Sequence, residues 1–273
     1  MFSQWINLNC ALCTRRVLDI LALCDQYFAT IITTNATLLN KLLIQKLAKF
    51  KNLAFVVSLE GIGNVNDVIR GKDVFKKVNQ AIKNLKENNI YVEISSTITK
   101  KNINYYRELI EYSKSLDIFC NFNLFKPFKE HHKSYILEPN KYFKFTEDLF
   151  KVRNLYGAKV NLPNAGAIFA HLEGQKKCNE CYAIMCAFTI DVEGNMVPCP
   201  ALQTAGYYDT ITLPKFDENF INTWKNNQYF RELRKRNLQE CQARSYIFSK
   251  DIKGEDPYGI NAFRRYQKAK NKE

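Results

Sequence analysis

The sequence predicts an α/β fold, with successive βα units through the first two-thirds of the chain and a small cysteine-rich α+β domain after them. Three observations predict it. Segments rich in β-branched and apolar residues alternate with segments that carry apolar residues at helical spacing. The stretches between successive strand candidates are long enough to hold a helix, which parallel pairing requires. After Gly174 the character changes, and five of the nine cysteines (Cys178, Cys181, Cys186, Cys199 and Cys241) fall beyond it.

Taken in order, residues 15 to 27 read as a helix and Ala29 to Thr34 as a β-branched strand, followed by a polar helix. Leu53 to Leu59 is a continuous apolar run, the pattern of a strand covered on both faces. It stops at Glu60-Gly61-Ile62-Gly63. Asp73 to Asn88 has a helical stripe at Val74, Phe75, Val78, Ile82 and Leu85, and it leads into a strand from Tyr91 to Thr99. A helix over about 103 to 116 precedes a strand from Ile118 to Phe125. Such units build an open sheet or part of a barrel. A helix is expected from Lys141 to Tyr156, a hairpin turning at Glu193-Gly194-Asn195, and a helix from Phe220 to Asn237. The expected division is 1–170, 171–262, and a basic tail over 263–273.

The chain has 273 residues with 46% hydrophobic content, enough to bury a substantial core. No apolar run reaches about 18 residues and the start lacks the pattern of a signal peptide, so a cytoplasmic protein with no membrane partner is expected. In that compartment nine cysteines favour metal binding or catalysis over disulfides. The net charge of +13 admits an anionic partner. The lysines are spread over helical faces and the tail, however, which favours a solvated surface over nucleic-acid binding.

The cysteines carry the strongest chemical signal. Cys181 is followed by Cys186, and then Gly194 and Cys199 complete the arrangement C-x12-G-x4-C, with Cys241 after a helix. Glycine in the turn lets the hairpin bring its flanking cysteines together. Four such thiolates suit a [4Fe–4S] cluster or a tetrahedral zinc ion. At the front of the chain, Cys10 and Cys13 fit the last two places of a C-x3-C-x2-C loop whose first place is Ile6, a residue that cannot ligate iron.

Residues 181–200 and 238–257 resemble the C-terminal SPASM extension of radical S-adenosylmethionine (SAM) enzymes. The likeness is greatest to members of heme and heme d1 biosynthesis, through Cys241-Gln242-Ala243-Arg244-Ser245-Tyr246 and Asp251 to Pro257. Ser58-Leu59-Glu60-Gly61, Ile69-Arg70-Gly71, Phe75 and Thr97 to Asn102 resemble the middle of the radical SAM barrel. The resemblance implies an incomplete (β/α)6 barrel followed by a SPASM-like iron–sulfur domain. It implies Ser58, Glu60 and Arg70 on the SAM side, and Cys10 and Cys13 as the remnant of the SAM cluster site. It also implies Cys181, Cys186, Cys199 and Cys241 as ligands of one auxiliary cluster, with Cys178 as the alternative to Cys181 or Cys186.

The departures from that pattern shape the expected function. A Gly-Gly-Glu-Pro segment is absent between Cys13 and Asn35, an interval in which about one βα unit is missing relative to the family. The later quartet of cysteines is reduced to Cys241, and Gly259 stands where its last member would be. The expectation is an iron–sulfur protein that retains one auxiliary cluster and lacks SAM chemistry. The alternatives are an active enzyme acting on a tetrapyrrole or peptide, which needs an extra ligand such as Cys24, and a structural zinc protein with a basic nucleic-acid-binding surface. A partner enzyme, or a second copy joined along an exposed sheet edge, is the expected protein partner. His131-His132 with Glu138 reads as a solvated loop pair, and Cys120 as core.

Overall fold

The computed structural model describes residues 5–9, 16–157, 159–175, 183, 185, 187–235 and 239–272. They fall into two compact units, one formed by residues 1–124 and 151–162, the other by 125–150 and 163–273.

The first unit is built on a parallel sheet of six strands whose spatial order is the chain order. The strands are β1 (Trp5–Asn9), β2 (Ala29–Thr34), β3 (Leu53–Ser58), β4 (Tyr91–Ile98), β5 (Cys120–Leu124) and β6 (Val160–Asn161). Helices α1 (Val17–Cys24), α2 (Lys41–Leu47), α3 (Asn64–Arg70), α4 (Val74–Glu87) and α5 (Tyr106–Ser115) lie in the connections. Four of the six strands follow the sequence expectation closely. β1 and β6 were not expected.

Burial alternates strictly along β2 to β5. Ile32 is paired with Phe55, Val57 with Ile94, and Ile94 with Cys120, so these buried residues share one face of the sheet. The opposite face is half-exposed and turns polar toward the strand ends, where Ser58 is paired with Ser95 and Thr97 with Asn123. The expectation that Leu53 to Leu59 is covered on both faces is therefore corrected. Ala54, Val56 and Ser58 are half-exposed because they belong to this open face.

Local chemistry sets the connections. Asn40 caps α2 by accepting from the N–H of Leu43 at 2.9 Å. Asp67 reaches past the end of its own helix and accepts from the N–H groups of Asp73 and Phe75 at 3.0 and 2.7 Å, which caps α4 from outside. Gly71 closes α3 at φ 109°, a conformation open to glycine, and this reversal follows directly on Arg70.

The second unit contains α7 (Gly166–Leu172), the antiparallel hairpin β7 (Thr189–Ile190) and β8 (Met196–Val197), then α8 (Pro200–Thr204), α9 (Phe220–Asn226), α10 (Gln228–Arg234), α11 (Gln242–Ser249) and α12 (Ile260–Lys270). The single helix expected over 220–237 is two helices. Asn227 leaves the helical region at ψ 126°, and its side chain accepts from the N–H of Phe230 at 3.2 Å, so one residue stops α9 and caps α10. Residues 263–273 were expected as a basic tail, helical or disordered; residues 263–270 belong to α12, with Lys268 and Lys270 in its last turn, and Phe263 is fully buried and stacks edge-on against Phe143 with ring centres 5.4 Å apart. The 18-residue helix α6 (Pro139–Tyr156) matches the expected one and extends two residues further toward its start. His131 and His132 lie in a short 3-10 turn with their rings 4.4 Å apart. Among the described residues no helix is long and apolar enough to cross a membrane.

Candidate functional site

Cys199 and Cys241 occupy the same structural role at two places. Each is the residue immediately before a helix, Cys199 before α8 and Cys241 before α11. Pro200 at the first position of α8 supplies the fixed φ that starts the helix at once. Both thiols pack against one apolar cluster formed by Val197, Leu202, Tyr208 and Ala243. Burial pushes the Cys199 thiol up, against the N–H groups of Leu202 and Ala201, which favour its thiolate, and Cys241 beside it raises it further. A half-buried pair of cysteines with backbone donors turned toward the Cys199 sulfur suits a thiophilic metal. Cys199 and Cys241 would hold such a metal as thiolates, whose charge it would balance.

The hairpin that leads to Cys199 is held by one carboxylate. Asp191 Oδ1 accepts from the N–H groups of Glu193 and Asn195 at 3.1 and 2.8 Å, while Oδ2 accepts from the side chains of Asn195 and Gln203, each at 2.9 Å. Gln203 belongs to α8, so the turn and the helix that begins beside Cys199 are tied through Asp191. Gly194 completes the turn at φ 79°. Burial acts to raise the Asp191 carboxyl, but these hydrogen bonds outweigh it and hold the group below its ordinary value. A depressed folded-state pKa contributes stability that is present above the unfolded-state value of about 3.9 and is lost as the pH falls through the folded-state value. We expect the wild-type chain to lose stability on acidification below about pH 4 more steeply than Asp191→Asn, as read from urea midpoints over that range.

A second constellation lies in the first unit, just beyond the end of β3. Glu60 is 5% exposed, and its carboxylate is fully engaged. Oε1 accepts from Arg70, and Oε2 accepts from the N–H of Thr97 at 2.7 Å and the hydroxyl of Ser96 at 3.3 Å. The backbone of Glu60 is held as firmly. Its N–H donates to Asn66 Oδ1 at 3.0 Å, and its carbonyl accepts from Asn102 Nδ2 at 3.1 Å. Asn102 also donates to the carbonyl of Thr97 at 3.0 Å and accepts from the N–H of Thr99 at 2.8 Å, so a buried amide stitches the ends of β3 and β4 together.

The structure thus brings Glu60 and Arg70 into direct contact, and it places Ser58 on the open polar face beside Ser95. Asn123 donates to Ser95 Oγ at 2.9 Å on the same face. Gly61 has a packing reason: a β-carbon there would lie 2.8 Å from Val65 Cβ and closer still to its methyl group. Gly61→Ala is therefore expected to shift the loop and lower stability by about 1–3 kcal/mol, measurable by chemical denaturation.

Cys10, Cys13, Cys178, Cys181 and Cys186 lie outside the described residues. Cys24, the candidate extra ligand, is buried on α1 at 6% exposure. Cys120 is fully buried in β5, and burial, followed by the charges of Glu60 and Glu93, pushes its thiol far up. Iodoacetamide applied to the native chain should leave Cys120 unlabelled until denaturant is added, with site-resolved mass spectrometry as the readout. Among the described residues no group of three or more His, Cys, Asp or Glu side chains is placed to hold a metal ion.

No family model matches the chain. An uncharacterised protein of Methanocaldococcus jannaschii is 31% identical over 114 residues, which are 40% of this chain and 38% of that protein. The chain therefore covers well under half the length of that curated relative. Solved structures give a wider match. SuiB of Streptococcus suis, bound to the precursor peptide SuiA, superposes with a TM-score of 0.72 at 16% identity, over 92% of this chain and 64% of SuiB. The enzyme anSMEcpe with bound AdoMet superposes with a TM-score of 0.72 at 17% identity, over 98% of this chain and 80% of its own. The same enzyme with AdoMet and the Kp18Cys peptide gives 0.70 at 18% identity, over 97% and 84%. These neighbours are radical SAM enzymes. The chain has the radical SAM fold. Within that fold the polar open face of the sheet and the Glu60 knot belong to the barrel part, and the Cys199–Cys241 pair belongs to the part that follows it. The Asp191 clamp and the asparagines at positions 66 and 102 were missed by sequence reasoning. The spacing Asp191-x-Glu193-Gly194-Asn195 was the available signal, since an aspartate ahead of a glycine turn commonly accepts from the turn backbone.

Proposed function

We propose that this chain is a radical SAM-type iron–sulfur protein whose cysteine-rich part holds one auxiliary [4Fe–4S] cluster. Cys181, Cys186, Cys199 and Cys241 would be the ligands, with Cys178 as the alternative to Cys181 or Cys186. The observation that carries the proposal is the meeting of Cys199 and Cys241 around one apolar cluster, although α8, α9 and α10 separate them in sequence. When bound, such a cluster supplies one-electron transfer. The chain's own residues pack an apolar cluster against the two half-buried cysteines and present N–H groups to the Cys199 sulfur.

The same proposal has the protein working without its own SAM chemistry, because Ile6 takes the first place of the C-x3-C-x2-C pattern and no Gly-Gly-Glu-Pro segment follows. Its role is then to support a partner enzyme or a second copy, joined along the edge of the sheet. The second reading is an active enzyme that modifies a peptide or a tetrapyrrole. The peptide option is favoured by solved neighbours holding AdoMet and peptides, and the tetrapyrrole option by the motif likeness around Cys241 and Asp256. Anaerobic purification with iron, sulfide and zinc counted per chain, followed by electron paramagnetic resonance with and without SAM, separates these readings. About four irons and a spectrum indifferent to SAM support the proposal. A spectrum that changes on adding SAM supports the active enzyme, and zinc without iron supports a structural zinc site and overturns both.

A further inference from the structure

Cys241 is placed by a buried ion pair that lies outside the thiol cluster itself. Arg244 is 1% exposed and Asp256 is fully buried. The guanidinium engages the carboxylate in fork geometry, with Nε 2.9 and 2.8 Å from Oδ1 and Oδ2 and the terminal nitrogen 2.7 Å from Oδ2. The remaining capacity of the carboxylate is spent on backbone. Oδ2 accepts from the N–H of Cys241 at 3.2 Å, and Oδ1 accepts from the N–H of Tyr258 at 3.0 Å. Arg244 also donates to the carbonyl of Asn164 at 3.2 Å. The cysteine has no side-chain cap of its own for α11, so Asp256 satisfies the first N–H from outside the helix and sets a negative charge at its positive end. A second carboxylate fastens the same segment, since Glu240 Oε1 accepts from the N–H of Asn261 at 3.3 Å.

Ion pairs removed from water gain little net stability over apolar residues of similar volume. A carboxylate spent on the backbone of a metal-binding residue does something apolar packing cannot, because it fixes where the following side chain points. We propose that Arg244 and Asp256 are positioning residues that hold the Cys241 backbone so that its thiol meets Cys199 in the metal-binding arrangement. This rests on the reading of Cys199 and Cys241 as ligands. The pair joins the segment around Cys241 and Arg244 to the segment that ends at Asp256-Pro257. The two motif pieces are halves of one device.

The test uses the full chain, reduced and metal-free, titrated with cobalt(II) alone and followed by the thiolate-to-cobalt absorption. Asp256→Ala leaves a buried guanidinium and is liable to unfold, so the informative variant is the pair Arg244→Met with Asp256→Leu, which removes both charges at similar volume. The expected result is unchanged circular dichroism and a cooperative melt with cobalt affinity lowered about 10- to 100-fold, the range found when an outer partner of a metal ligand is removed. Arg244→Lys, which keeps the charge and leaves Asp256 to accept from Cys241, should stay close to wild type. A double variant that folds and binds cobalt as tightly as wild type overturns the proposal. Amide exchange at Cys241 provides the independent arm. If the wild-type chain takes no cobalt, the reading of the cysteines as ligands fails, yet faster exchange at Cys241 in the double variant still upholds the positioning role, and unchanged exchange ends it.

Discussion

Arg244→Ala should be among the most destabilising single substitutions in the chain, lowering unfolding free energy by about 3–5 kcal/mol. The loss exceeds the worth of the pair, because the substitution strands the Asp256 carboxylate at 0% exposure with only the N–H groups of Cys241 and Tyr258 to solvate it. Against a typical total of about 5–15 kcal/mol, this is enough to populate unfolded chains at ambient temperature. A urea titration of wild type and variant measures it. A shift of under about 1 kcal/mol would mean that water reaches Asp256 readily, contrary to the burial seen here.

Glu60→Ala is expected to have the next largest effect, about 3–5 kcal/mol, and to exceed Arg70→Ala. Removing the carboxylate takes the partner from Arg70, the Ser96 hydroxyl and the Thr97 N–H together, and Ser96 is 1% exposed. Removing Arg70 leaves Glu60 with its two acceptor contacts to β4, and Arg70 is already 31% exposed, so water replaces part of what is lost. Equal losses for the two variants would show that the ion pair alone, and not the junction with β4, holds this loop. The comparison bears on function as well. The sequence resemblance puts Glu60 and Arg70 on the SAM side of a barrel, and with these two engaged in each other the neighbouring open face still offers Ser58, Ser95, Thr97, Asn121 and Asn123 among its polar groups.

Much of this fold could be read from residue order. β2, β3, β4 and β5 are marked by β-branched or apolar runs bounded by turn residues, and of the stripe read on α4, Val78, Ile82 and Leu85 are buried while Val74 and Phe75 are half-buried. β1 escaped notice because Asn7 and Asn9 break up a five-residue strand, and β6 because two residues carry no periodic signal. The continuous apolar look of Leu53 to Leu59 misled for a physical reason: alanine and valine suit a half-exposed sheet face as well as a covered one. Within the site, the thiols announce themselves by type and spacing. Their supports do not, because Asp256 reaches Cys241, and Glu60 reaches Thr97, across sequence separations that no local pattern encodes.

Phe263, stacked on Phe143 in the second unit, has a consequence for the order of events during synthesis. Domains fold as units, and a core that needs residue 263 cannot close while the ribosome is still working through the cysteine-rich stretch. Cys178 through Cys241 all emerge before that anchor does. The nascent thiols therefore spend an interval outside any finished enclosure. Closure of the unit waits on a phenylalanine that is not part of the cluster against which Cys199 and Cys241 pack.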